Sequence, residues 1–102
     1  MCAIAELTAD RGVAALVDGR QVALFRLSPD DEVVAIDNLD PFSGAYVLSR
    51  GIVGSKGDVV TVASPVFKQR FDLRTGTCLD DPTVSIPTYE VRVVDGAVEV
   101  VA

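Results

Sequence analysis

The chain has 102 residues, 49% of them hydrophobic, which is enough for one core, and no Pro/Gly/Ser-rich linker divides it, so residues 1–102 are read as a single domain. Nine basic against 15 acidic residues give a formal net charge of −6 and a pI of about 4.4, which argues against nucleic acid and against an anionic membrane surface as partners. Zero histidines exclude Ser-His-Asp and Cys-His nucleophile systems, His-containing zinc sites and 2-His-1-carboxylate iron sites.

The start, Met1-Cys2-Ala3-Ile4-Ala5-Glu6, has no basic region ahead of an apolar one, so no secretory signal is expected. No apolar run approaches the length of a membrane-spanning helix. Two cysteines, Cys2 and Cys78, do not make a disulfide framework, and a reduced, cytoplasmic protein is the simplest expectation. Cys78 is read as a small buried hydrophobe.

Val13-Ala14-Ala15-Leu16-Val17 is an apolar run of strand length. Asp18-Gly19 follows, then Gln21-Val22-Ala23-Leu24-Phe25-Arg26-Leu27, and two such runs joined by Asp-Gly predict a hairpin. Ser28-Pro29-Asp30-Asp31 predicts a turn, and Glu32-Val33-Val34-Ala35-Ile36 a third strand. Alternation is poor in these strands, which predicts burial on both faces, as in a small closed barrel. Asn38-Leu39-Asp40-Pro41-Phe42-Ser43-Gly44 reads as a loop, and residues 45–58 as a glycine-punctuated one. Val59-Val60-Thr61-Val62-Ala63 is the next strand.

The stretch that follows is the most informative. Phe67, Gln69 and Phe71 against Lys68, Arg70 and Asp72 give the two-residue period of a half-buried strand, closed by the turn Asp72-Leu73-Arg74-Thr75-Gly76. Asp80-Asp81-Pro82 and Ile86-Pro87 mark an irregular segment that no helix crosses. Thr88 to Val94 alternates, with Tyr89, Val91 and Val93 on one face. Asp95-Gly96 then joins it to Ala97-Val98-Glu99-Val100-Val101 in a second hairpin. No segment of ten residues shows a helical period, so the chain reads as all-β, a small barrel or sandwich of short strands.

Ser64-Pro65-Val66-Phe67, followed by Phe71-Asp72-Leu73-Arg74-Thr75-Gly76, resembles the second ligand loop of a Rieske iron–sulfur domain. There Cys-Pro-x-His precedes a Phe-Asp-x-x-Thr-Gly run. Asn38 to Gly44 resembles the first loop. The resemblance puts Asp40 and Ser64 at the cysteine positions and Phe42 and Phe67 at the histidine positions. A Rieske cluster needs two imidazoles and two thiolates, so this chain is not expected to hold one. With Lys68-Gln69-Arg70-Phe71-Asp72-Leu73-Arg74-Thr75-Gly76, Cys78-Leu79-Asp80-Asp81-Pro82 and the closing hairpin included, the chain resembles the small subunits of assimilatory NAD(P)H-dependent nitrite reductases over nearly its whole length. That family implies a Rieske-like β domain with two protruding loops and no catalytic or metal-binding residues of its own. It implies a large-subunit partner that carries FAD, sirohaem and an iron–sulfur cluster and reduces nitrite to ammonium. The small subunit is then a non-catalytic helper, inactive when isolated. Two alternatives remain open, a ferredoxin-like electron carrier and an interaction module of another oxidoreductase.

Several residues carry their own expectations. Phe42 and Phe67 are expected to pack together, or on one apolar cluster, in the gap that a cluster would fill. Asp40 is expected to cap its own loop through side-chain to backbone hydrogen bonds rather than to act as a relict ligand. Lys68, Arg70 and Arg74 concentrate positive charge in an acidic chain. They are candidates for docking an acidic patch of the partner or for steering an anion, with a solvated strand face as the equal alternative.

Overall fold

The computed structural model describes residues 2–3, 7–27 and 32–101. The strands among these residues are β1 (Cys2–Ala3), β2 (Gly12–Val17), β3 (Arg20–Leu27), β4 (Glu32–Asp37), β5 (Ile52–Lys56), β6 (Val59–Ala63), β7 (Arg70–Asp72), β8 (Thr88–Val94) and β9 (Ala97–Val101), and a 3-10 turn lies at Leu48–Arg50. They form a six-stranded sheet in the order β1-β9-β8-β4-β3-β2 and a three-stranded sheet in the order β5-β6-β7. All strand pairings are antiparallel.

Both Asp-Gly hairpins form as their turn chemistry requires. Asp18 and Gly19 have φ of 49° and 80°, and Asp95 and Gly96 have φ of 50° and 78°. Positive φ at both central residues is the type I′ geometry whose twist matches the flanking strands. Register follows from the two-residue turns: Val17 faces Arg20, and Val94 faces Ala97. The turn expected at 28–31 lies outside the described residues.

Burial on both faces, expected of the early strands, holds for β3 but not for β2, an edge strand whose Val13 and Leu16 are 40% and 72% exposed. Val22, Ala23, Leu24 and Phe25 are all 1% exposed or less, so β3 is covered on both faces. Ala23, Phe25 and Leu27 join Ile36, Leu48, Val62, Phe71, Leu73, Cys78 and Ile86 in a core that binds the two sheets together. Val22 and Leu24 face a second cluster with Val17 and Ala35, on which Tyr89, Val91 and Val100 rest, so the large sheet covers part of its own face. Val93, expected on the same face, is 45% exposed.

Two expectations need correction. Residues 45–58 are not one loop: they hold the 3-10 turn and β5, which pairs with β6 around Gly57–Asp58. β5 sits at a sheet edge with Ile52 73% exposed and a glycine at its centre, so it lacks the buried alternation by which a strand is recognised. The strand expected from Phe67 begins only at Arg70. Lys68 takes φ of 68° and its N–H donates to Ser64 O, which makes 64–68 a closed turn. Lys68 and Arg70 therefore do not share a strand face.

Candidate functional site

The first loop leaves the end of β4. Asn38, 1% exposed, fastens its base: Nδ2 donates to Tyr46 O at 3.2 Å and to Gln21 Oε1 at 3.3 Å, and Oδ1 accepts from Ser49 N at 2.7 Å. Asn38 is a structural anchor that the loop composition alone did not single out. Asp40, fully buried, organises the tip. Its N–H donates to Ala45 O and its carbonyl accepts from Gly44 N, both at 2.8 Å. Its Oδ1 accepts from Phe42 N at 2.9 Å, the loop-capping role expected of it.

The second loop leaves the end of β6 and is built on Ser64, also fully buried. Ser64 N donates to Gln69 O at 2.9 Å, Ser64 O accepts from Lys68 N at 3.1 Å, and Ser64 Oγ accepts from Val66 N at 3.2 Å. The Ser64 hydroxyl in turn donates to Asp40 Oδ2 at 2.5 Å, the short distance of a hydroxyl bonded to a carboxylate. The two residues at cysteine positions thus meet, and a buried hydrogen bond joins the loops where a cluster would bridge them. Sequence reasoning placed both residues but did not anticipate this bond. Its signal was available: an acceptor-only group and a donor at facing ligand positions.

The two phenylalanines at histidine positions part company. Phe42 packs against the inter-sheet core, with its ring centroid 6.1 Å from that of Phe71 at an interplanar angle of 46°. Phe67 is 58% exposed, beside Val66 at 45%. The expected Phe42–Phe67 pairing is therefore corrected: Phe71, rising from β7, takes the place next to Phe42, and the closed turn at 64–68 carries Phe67 outward.

The candidate docking cations are also unlike one another. Arg70 Nη2 lies 3.0 Å from Asp80 Oδ1, and Arg70 N donates to Asp80 Oδ2 at 2.8 Å. These bonds hold the Asp80 carboxyl below its ordinary range and raise the guanidinium. Arg74 Nη2 lies 2.5 Å from Glu32 Oε1, and that bond raises its guanidinium likewise. Both pairs are exposed and contribute little to stability. Lys68 Nζ reaches Pro65 O at 3.4 Å and stays at the tip.

Asp72 Oδ1 caps Arg74 N at 2.8 Å and Thr75 N at 3.3 Å, which sets the turn that ends in Gly76. Cys78 is fully buried and unpaired, as a small core hydrophobe. Cys2 pairs through β1 with Val98.

The four positions Asp40, Phe42, Ser64 and Phe67 offer neither a thiol nor an imidazole. The two oxygen-bearing side chains turn on each other and on backbone N–H groups, and Phe67 faces outward. This donor set does not fit a Rieske [2Fe-2S] cluster. Among the described residues no group of three or more His, Cys, Asp or Glu could hold a metal ion. No helix among them is long and apolar enough to cross a membrane.

A family model for the Rieske-like [2Fe-2S] domain matches residues 1–101. The nitrite reductase (NADH) small subunit of Salmonella typhimurium is 46% identical over 99 residues, covering 97% of this chain and 92% of that one. The nitrite reductase [NAD(P)H] large subunit of Klebsiella oxytoca is 40% identical over 98 residues, 96% of this chain but 10% of that protein. A Mycobacterium tuberculosis crystal structure described as an NADH-dependent nitrite reductase small subunit superposes with a TM-score of 0.94 at 54% identity, covering 98% of this chain and 89% of that one.

Proposed function

This chain belongs to the Rieske-like [2Fe-2S] domain family, and from that premise we propose that it is the accessory small subunit of an NAD(P)H-dependent nitrite reductase and binds no cluster itself. Its near full-length relatives carry the small-subunit name, and a large subunit contains a matching segment within its own chain. In this reading the flavin, sirohaem and iron–sulfur chemistry that takes nitrite to ammonium resides on the large subunit, in the cytoplasm. This chain acts by surface contact, stabilising or positioning its partner during electron delivery. Lys68, Arg70 and Arg74 contribute charge to the docking face, Lys68 most directly because the two arginines are engaged with Asp80 and Glu32.

The observation that carries the reading is the buried Asp40–Ser64 hydrogen bond, which occupies both cysteine positions with groups already bonded to each other. An electron carrier needs a centre that holds the electron in transit, and this pair supplies none. The test is to purify the chain alone and with its large subunit. The chain alone is expected to be colourless, free of iron and inactive, and to raise the yield or nitrite-dependent NAD(P)H oxidation of the large subunit. A brown preparation with stoichiometric iron and sulfide would favour the electron-carrier reading instead.

A further inference from the structure

Of the four phenylalanines, Phe25 and Phe71 are fully buried and Phe42 packs on the core, but Phe67 is 58% exposed. Val66 beside it is 45% exposed, and Pro41 and Pro65, which directly follow the bonded Asp40 and Ser64, are exposed too. These loops are not slack. Ser64 bonds through its N–H, its carbonyl and its hydroxyl, and Lys68 holds a left-handed φ of 68° that a lysine seldom adopts. A buried polar pair thus fastens the loop that carries an outward-facing apolar ring.

An exposed aromatic ring on a fastened loop suits an interface anchor, because the backbone beneath it need not be ordered when it binds. The occupant follows from the Klebsiella oxytoca large subunit, in which a segment similar to this chain forms 10% of the protein and is tied to the remainder covalently. Charge alone does not account for docking at this end, since Arg70 and Arg74 are paired within the chain.

We propose that the Asp40-Pro41-Phe42 and Ser64-Pro65-Val66-Phe67 loops form the docking tip for the nitrite reductase large subunit, with Phe67 as anchor and the Asp40–Ser64 hydrogen bond as the clasp that positions it. The proposal rests on the accessory-subunit reading and names the surface by which it operates.

The test measures the Kd of the full chain for the immobilised large subunit. Phe67→Ala weakens binding tenfold or more while leaving the thermal midpoint of the chain unchanged. Ser64→Ala weakens binding severalfold, and this loss vanishes when it is measured in the Phe67→Ala background, as expected of a residue acting through the ring. Leu16→Ala and Ile52→Ala, at sites 72% and 73% exposed elsewhere, bind as the wild type does. Wild-type binding with Phe67→Ala within twofold of it, or loss confined to the Leu16 or Ile52 variant, overturns the tip alone. Equal losses from Ser64→Ala in both backgrounds overturn the clasp's part in positioning. No wild-type binding at all overturns the accessory-subunit reading and the tip with it.

Discussion

Ser64 places one hydroxyl between two loops, accepting from Val66 N and donating to Asp40 Oδ2. Both residues are fully buried, so removing the donor leaves a carboxyl oxygen without its partner and away from water. Ser64→Ala is therefore expected to destabilise the chain by about 2 kcal/mol, read as a fall of roughly 10 °C in thermal midpoint. Asp40→Asn is expected to cost less, because an amide still accepts from Phe42 N and can donate to the Ser64 oxygen. Asp37, at the end of β4, titrates in the opposite sense to a paired carboxylate. Burial raises its pKa, against smaller lowering effects from the Asn38 backbone and the Arg20 charge. A raised carboxyl pKa means that ionisation is penalised in the folded state, so its contribution begins to oppose folding as pH rises past the ordinary carboxylate value and is complete above the folded one. Asp37→Asn is expected to stabilise the chain at pH 7, with the gain fading as pH falls through the carboxylate range. A urea midpoint followed against pH checks both sign and window.

At the scale of elements, turns decide more than strand propensity. Gly76 closes the Asp72-Leu73-Arg74-Thr75-Gly76 turn with φ of 79°, and a Cβ there would sit 2.1 Å from Ile86 O. Ile86 N donates back to Gly76 O, so the two backbones cannot easily separate. Gly19 has nearly the same φ, 80°, with nothing within 4 Å of a Cβ. The two positions separate conformational strain from collision. Gly19→Ala is expected to cost about 1 kcal/mol, and Gly76→Ala on the order of 3 kcal/mol or more. Equal losses in denaturant unfolding would show that the Gly76–Ile86 approach relaxes freely. The Arg70–Asp80 pair joins the start of β7 to the segment before β8. The Asp80 carboxyl is lowered mainly by the Arg70 side-chain hydrogen bond, then by the Arg70 backbone N–H. Its contribution is thus present above the ordinary carboxylate pKa and lost as pH falls through the lower folded value. Asp80→Asn is expected to flatten that acid-side slope and to remove the same small contribution at pH 7, so that variant and wild type converge in acid.

On the scale of the molecule, the core explains how two loops hold a fixed relation without a metal bridge. Phe25, Ile36, Leu48, Val62, Phe71 and Leu73 bind the large sheet to the small one, and the loops leave from β4 and β6, one in each sheet. The sheets bring Asp40 and Ser64 together, and the hydrogen bond sets the last contact. Phe71→Ala is expected to cost about 3–5 kcal/mol. It would also release Phe42, whose ring contact is with Phe71. Loss of binding to the large subunit in that variant, alongside its lowered midpoint, would join core packing to the docking function.

Much of this architecture was legible in the residues. Asp18-Gly19 and Asp95-Gly96 specify type I′ turns because few other dipeptides tolerate positive φ twice, and the dense apolar runs of β3 and β4 announce burial on both faces. The missing imidazoles and the surviving loop frames were equally plain, since ligand chemistry is a matter of residue type. The strand at 52–56 was not legible, because an exposed edge strand carries no hydrophobic period. Only the folded chain decided which aromatic ring met which, that Arg70 and Arg74 are already paired, and that Asp40 and Ser64 bond to each other. Apart from the Arg70–Asp80 pair, these contacts span 24 or more residues and depend on how the sheets pack, and local spacing holds no record of that.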